Sequence, residues 1–373
     1  MYAPTSFEID DPVVRSGPSR PVNDSALLDS PDCLTETEQL MLRLARGNTV
    51  DRMSQMVTPH LAVGGKRIRA RLALAATEAL GGERGQAVAW AAAVELLHNA
   101  SLIHDDIQDG DRMRRSRPSL WTEYGSAQAI NAGDLLLVLP FAAVGEVPVD
   151  GEDRSRLVAI LAERAARTVR GQVQELSMLQ ERRYSPSDYL DTVRKKTGEL
   201  LALPVQGAAL IAGRDADRAR ALGEPFVDLG ALFQLQDDVN DLFGDKGRGR
   251  IGSDLYYGKV SALVVAHLAL FPRDREWLLE LLQRPESDTS VKDIAEASEH
   301  FSRPGGALDY VISSIQQLIE RTEHSSVLGK EPPLHTLALE LAERAIRPIR
   351  PLIDSRTGGD RSAAGCASPS MGG

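Results

Sequence analysis

Apolar residues along this chain recur at intervals of three and four, not two, in one segment after another. That spacing gathers them on one face of a helix, so segments near 35–46, 66–80, 86–108, 152–180, 187–212, 216–244, 258–271 and 334–353 are predicted as α-helices. No stretch shows the alternation of a half-buried strand, and the expected fold class is all-α. The punctuation agrees: Gly81-Gly82 and Gly244-Asp245 follow two of the runs, and Ser185-Pro186-Ser187 before Asp188 reads as a helix start. Residues 1–33, rich in Pro, Ser and Asp, and 356–373, rich in Gly, Ser and Ala, lack the period and are expected to be mobile tails. Nothing between them has the composition of a linker. Residues 34–355 are therefore read as one all-α domain.

A 373-residue chain with 42% hydrophobic content can bury a sizeable core, and a net charge of −10 argues against a general nucleic-acid binder. The only cysteines, Cys33 and Cys366, fall in the expected tails, which leaves no disulfide framework and no thiolate metal site. Neither a leader peptide nor a run of eighteen apolar residues is evident, so a cytoplasmic protein with no integral membrane segment is expected. Trp90, Trp121 and Phe226 are assigned to core or interface packing.

Charge changes the picture locally. Asp105, Asp106 and Asp109 end one apolar helical run, and Asp237, Asp238 and Asp241 end another with the same spacing. Residues i and i+4 share a helix face and i+1 lies beside them, so each triplet concentrates negative charge at the edge of a buried surface. Like charges placed this way destabilise a bare helix. Hard divalent cations, which take carboxylate oxygens, are the economical remedy.

Cations cluster nearby in sequence. Arg112, Arg114, Arg115 and Arg117 follow the first triplet, Lys66, Arg67 and Arg69 follow Gly64-Gly65, and Lys195-Lys196-Thr197-Gly198, Arg250 and Lys259 add more. Guanidinium forks and helix N-termini both suit phosphate oxygens. Metal-type carboxylates beside such cations point to a polyanion bridged by metal, of which diphosphate is the simplest. Three Mg²⁺ and several Arg or Lys would stabilise charge growing on a departing diphosphate. The carbon left behind would be cationic, so it requires allylic delocalisation and a dry apolar lining, for which residues 94–103 are candidates.

The string Leu102 to Asp109, followed by Arg114-Arg115 and Pro118, resembles the first aspartate-rich motif of the trans-isoprenyl diphosphate synthases (polyprenyl synthetases). Phe233-Gln234 through Asp241, with Gly244-Asp245 and Gly252-Ser253-Asp254, resembles the second; Gly64-Gly65-Lys66 and Lys196-Thr197-Gly198 match two further signatures in order. The resemblance spans about residues 35 to 355 and is greatest to geranylgeranyl diphosphate synthases. It implies an isoprenoid-synthase helical bundle, a homodimer, and a prenyltransferase that condenses isopentenyl diphosphate with dimethylallyl, geranyl or farnesyl diphosphate. It further implies that Asp105, Asp106, Asp109, Asp237, Asp238 and Asp241 hold Mg²⁺ through the allylic diphosphate. Arg114, Lys196, Thr197, Gln234 and Lys259 would contact that diphosphate, with Lys66, Arg69, His98 and Arg115 on the diphosphate of isopentenyl diphosphate. Arg250 stands where the family usually has Lys, and Ser116 where Gly is usual. In the family the product descends along the first-motif helix, and the small Ser101 and Ala100, four and five positions before Asp105, leave that path open. This favours geranylgeranyl diphosphate, with farnesyl or longer polyprenyl products as alternatives.

Blander readings carry less. One such triplet in an acidic chain is ordinarily a solvated helix edge, but two with basic flanks and apolar lead-ins are not. His104 reads as a core residue, Arg112 and Arg117 as loop trimming, and Lys195 as a surface neighbour. A class I terpene cyclase would carry an Asn/Ser/Glu second site and more aromatics than the 5% present. A silent regulatory subunit would typically have lost one aspartate motif, and a lipid carrier would not need six carboxylates.

Overall fold

A computed structural model describes residues 27–357 except 49 and 245–249, and these are almost wholly helical. The first half contains α1 (Leu34–Arg46), α2 (Arg52–Ala62), α3 (Ile68–Ala79), α4 (Val88–Gln108), α5 (Leu120–Tyr124), α6 (Ser126–Gly145), α7 (Gly151–Ser177), α8 (Pro186–Val193) and α9 (Glu199–Ile211). The second contains α10 (Ala216–Phe243), α11 (Ser253–Tyr256), α12 (Ala262–Leu270), α13 (Arg275–Gln283), α14 (Val291–Ser302), α15 (Ala307–Glu323), α16 (Pro332–Ile346) and α17 (Arg350–Thr357). Among the described residues the only strands are β1 (Met113–Arg114) and β2 (Arg117–Pro118), an antiparallel hairpin. Its turn residues Arg115 and Ser116 both have positive φ, 53° and 63°. That left-handed conformation is the one glycine adopts without steric cost, which explains what a Gly would do at Ser116.

The expected helices form, and local chemistry explains their ends. Ser185 caps α8 by accepting from the Asp188 backbone N–H at 3.0 Å, with Pro186 at the first helical position, as its sequence predicts. Helices α2, α5, α6, α11, α13, α14 and α15 lie outside the predicted segments. In α6 the run Leu135-Leu136-Leu137-Val138-Leu139-Pro140-Phe141 is apolar on every side, so no 3.6-residue period shows. By length and composition α6 could cross a membrane, yet it packs along α4 within this fold.

The core is arranged around α10. Its first half contributes Leu222, Phe226 and Leu229 to a core built with α1 to α7, α9 and the start of α16, and its second half contributes Leu232, Leu235 and Val239 to a core built with α8, α11 to α15 and the end of α16. At 28 residues it spans roughly 42 Å, enough to tie both together. The expected N-terminal tail boundary at residue 33 needs correction. Leu28 is buried, Arg71 donates to the carbonyls of Leu28 and Ser30, and Arg344 pairs with Asp29. Burial of Leu28 and these bonds anchor 28–33 to the body. The C-terminal boundary at 356 shifts too, since α17 runs to Thr357 and Arg356 pairs with Asp309 at 2.9 Å; expected tail residues 1–26 and 358–373 with Cys366, and also Asp245, lie outside the described residues.

Candidate active site

Both aspartate triplets end up at helix C-termini. Asp109 caps α4, donating its N–H to the Asp105 carbonyl at 2.8 Å, and Asp241 lies in the last turn of α10. The macrodipole is negative there, which disfavours the carboxylates of the last turn, Asp105, Asp106, Asp109 and Asp241, by about 0.3–1 kcal/mol each before the aspartates repel one another. Four of the six are compensated within the fold. Asp106 accepts from Arg114 (Nε at 2.7 Å) and Asp109 from Lys259 Nζ at 2.7 Å. Asp238 is buried and accepts from the Tyr189 hydroxyl, Gln234 Nε2 at 3.0 Å and the Ala262 N–H at 2.7 Å. Asp241 is also buried and accepts from the Ser253 hydroxyl and the Asp254 N–H at 3.1 Å. Among the described residues no hydrogen bond or ion pair reaches the side-chain carboxylate of Asp105 or Asp237, and Asp237 is exposed.

Burial pushes the Asp105 carboxyl up to about 6 against the opposing pull of Lys196, and burial likewise raises Asp106 against Arg114. For Asp238, burial dominates and lifts it to about 7 despite its three donors. In each case the cost of burying a carboxylate outweighs the Arg, Lys and hydrogen-bond donors the fold supplies.

The two motifs converge through a continuous polar path. Asp109 meets Lys259 Nζ, the Lys259 N–H donates to the Asp254 carbonyl at 2.8 Å, and the Asp254 N–H donates to Asp241. A second arm comes from Arg194–Gly198, a single π-helical turn between α8 and α9. Such turns displace side chains from the regular ladder and recur at functional sites. It presents Lys196, which pairs with Glu175 of α7, and Thr197, whose hydroxyl reaches Gln234 Oε1 at 3.2 Å. Close helix approach makes this possible: a Cβ on Gly171 would fall 2.3 Å from the Lys196 backbone nitrogen, and one on Gly230 2.4 Å from Gly198 Cα.

A cationic cradle forms beside the first motif. Arg69 Nη1 contacts His98 Nε2 at 3.0 Å, and the Arg115 guanidinium lies over Gly65, where a Cβ would come within 2.7 Å of Cζ. Lys66 is exposed at the mouth, next to a cavity of about 620 Å³ walled by Ile68, Phe233 and Leu341. Burial and the nearby Arg69 hold His98 neutral, well below its ordinary value. Arg69 Nε and His98 Nδ1 are buried and unpartnered, so the cradle has unused hydrogen-bonding capacity suited to an anion.

Several site residues escape sequence reading. Glu95, 2% exposed, accepts from Arg67 Nη1 at 3.5 Å and from the Ala70 N–H at 3.2 Å, capping α3 from a neighbouring helix and fixing the Gly64–Arg69 loop. Tyr189 orients Asp238, Glu175 holds Lys196, and His60 faces Arg114 and Arg115. None stands within a recognisable spacing of the motif it serves. The structure brings Asp105, Asp106, Asp109, Arg114, Lys196, Thr197, Gln234, Asp237, Asp238, Asp241 and Lys259 together, and Lys66, Arg69, His98 and Arg115 beside them. It does not bring in Arg250, which pairs with Glu286 at 3.1 Å and stacks on Tyr256. Ala100 is buried in the core, while Ser101 is half-buried with its hydroxyl on the His98 carbonyl. His104 packs on Gly133, Arg112 stacks on Trp121, and Lys195 pairs with Asp191.

The donor set fits Mg²⁺ in one particular way. Among the described residues no three aspartate oxygens lie within 4.8 Å of one another, so the chain offers no self-sufficient cage. Mg²⁺ commonly takes one or two carboxylates plus phosphate oxygens, and unpaired Asp105 and Asp237 on opposite helix ends suit that arrangement.

Residues 50–299 match the polyprenyl synthetase family model. The chain is 31% identical over 297 residues to the geranylgeranyl pyrophosphate synthase of Geoglobus acetivorans, covering 77% of this chain and 88% of that protein. It is 34% identical over 268 residues to the short chain isoprenyl diphosphate synthase of Methanothermobacter thermautotrophicus, covering 69% and 81%. The crystal structure of a polyprenyl synthetase from Streptomyces coelicolor A3(2) superposes with a TM-score of 0.71 at 28% identity, over 83% of this chain and 98% of that one. Doubled aspartate motifs on converging helix ends, an all-α frame and matches across most of the chain agree: this protein belongs to the polyprenyl synthetase family.

Proposed function

We propose that this prenyltransferase condenses isopentenyl diphosphate head to tail with dimethylallyl, geranyl and farnesyl diphosphates and releases geranylgeranyl diphosphate. The observation that carries the reading is the polar path from Asp109 through Lys259 and Asp254 to Asp241, with Asp105 and Asp237 left unpaired on the helix ends it joins. An allylic diphosphate between those ends would take Arg114, Lys196 and Lys259 from the carboxylates that now hold them. Mg²⁺, about three ions, would supply the charge neutralisation that lets the diphosphate leave. Thr197 and Gln234 would hold its oxygens at the π-turn. Lys66, Arg69 and Arg115 would grip the second diphosphate, with neutral His98 as a hydrogen-bonding partner rather than a charge. The apolar α4 face would keep water from the allylic cation.

Small Ala100 and Ser101, about one turn below Asp105, support a product longer than farnesyl. Ile130, Val138 and Phe141 of α6 and Val169, Val173 and Leu176 of α7 remain exposed, an apolar face suited to a second copy of the chain. The catalytic domain would extend from Leu28, which packs into the core, to the end of α17 at Thr357, with a cytoplasmic location. The direct test incubates purified protein with Mg²⁺, isopentenyl diphosphate and each allylic starter, and sizes the products. Elongation to the twenty-carbon diphosphate is expected. No elongation with any starter refutes the synthase, and a cyclic hydrocarbon product would favour a cyclase.

A further inference from the structure

We propose that His267, Asp274 and His300 form a site for a divalent transition metal of the zinc class, separate from the aspartate motifs. The three residues come from α12, the turn after it and α14, and their ligand atoms lie within 4.8 Å of one another. His267 Nε2 is 3.1 Å, and His300 Nδ1 3.4 Å, from the same Asp274 oxygen, Oδ2. A tetrahedral ion bound at about 2.0–2.1 Å places its ligands roughly 3.3–3.4 Å apart, so two edges already approximate that figure. His300 Nδ1 is sealed from solvent and makes no hydrogen bond despite its distance to Oδ2. A ring nitrogen turned toward a carboxylate yet misaligned for bonding to it suits a shared ion better than a direct contact.

The surroundings are built for a fixed ligand set. His267 is fully buried against Phe271 and Phe301, with ring centroids at 4.9 and 5.1 Å, and Trp277 stacks on His300 at 4.6 Å. These rings hold both imidazoles in place. Asp274 and His300 are 27% and 20% exposed, which gives an entry path and room for a water in the fourth position. Two imidazoles and one carboxylate suit zinc, cobalt, nickel or copper and are poor donors for Mg²⁺. The ion would staple α14 to α12, whose first residue, Ala262, donates its N–H to Asp238. Its role is therefore structural.

The test uses untagged full-length protein stripped with EDTA and titrated with Co²⁺ as an optical probe. One Co²⁺ per chain is expected, with the intense visible absorption of a four-coordinate site, displaced by Zn²⁺ and retained in excess Mg²⁺. His300→Ala and Asp274→Asn, both at partly exposed positions, should abolish the absorption and weaken Zn²⁺ binding roughly tenfold or more. Zn²⁺ should raise the Tm of the unsubstituted protein and leave that of His300→Ala unchanged. The proposal is overturned if no such absorption appears, if it survives both substitutions, or if Mg²⁺ removes the cobalt. A circular dichroism spectrum identical to the parent's qualifies each variant, and if Asp274→Asn fails this, His300→Ala decides alone.

Discussion

Replacing Tyr189 by Phe deletes one oxygen atom and leaves the ring in its buried place. That oxygen is one of three donors on Asp238, whose carboxylate is 4% exposed and has no water to replace a lost partner. Leaving a buried acceptor short of one donor costs about 1–3 kcal/mol, so a loss near 2 kcal/mol is expected. For a domain of this size 1 kcal/mol corresponds to about 2 °C, which predicts a Tm lower by about 4 °C in a calorimetric scan. Stability alone would follow from any buried hydroxyl, so the second readout is kinetic. Asp238 is joined to Gln234 and through it to Thr197 at the π-turn, and loosening it should lower kcat and raise the Mg²⁺ concentration needed for half-maximal rate. Tyr310→Phe is the control: it lines the same groove as Tyr189, is 42% exposed, and makes no contact with an aspartate motif. A Tyr189→Phe enzyme with a Tm within 1 °C of the parent's and unchanged kinetics would refute the claim that this hydroxyl orients the second motif.

Three further perturbations test other parts of the site. Burial and the nearby arginines hold His60 at about 4 against 6.5 in the unfolded chain, so the unfolded state binds the extra proton first. Its contribution is complete above pH 6.5 and is lost as pH falls toward 4, by up to about 3 kcal/mol; His60→Gln should flatten that acid limb in denaturant titrations, and an unaltered limb would contradict it. Glu95→Gln leaves the buried Arg67 with Glu38 as its remaining carboxylate partner and should cost about 3 kcal/mol. It should also raise KM for isopentenyl diphosphate several-fold with little change in kcat; equal effects on both substrates would mean that Glu95 does not position the cradle. Ala100→Phe forces a ring into a site 1% exposed, costing about 1–3 kcal/mol, and should shorten the product by at least one isoprene unit. Chromatography showing the parent chain length would remove Ala100 from the length-setting set.

Most of the helices and the two aspartate motifs were legible in the sequence, because both depend on local spacing. A 3.6-residue period reports which face of a helix is buried wherever the other face is polar, as in α7, and it disappears where both faces are apolar, as in α6. The motifs likewise announce their chemistry through charge density on one helix edge, whatever the rest of the chain does. Arg250 shows the limit of that logic: its charge suggests a phosphate ligand, but Glu286, 36 residues away, and the ring of nearby Tyr256 hold it elsewhere.

By itself the sequence determined an all-α chain with two clusters of carboxylates that require cations, since helix periodicity and like-charge repulsion act over a few residues. Tertiary structure alone decided which carboxylates remain free. Tyr189, Ala262, Ser253, Arg114 and Lys259 reach Asp238, Asp241, Asp106 and Asp109 from other elements, and the path through Asp254 closes only when α4 and α10 end side by side. The same holds for Glu95 beneath the cradle and for His267, Asp274 and His300, which share a centre only because α12 and α14 pack into one core. Such partners are set by packing across the bundle, and no spacing along the chain encodes them.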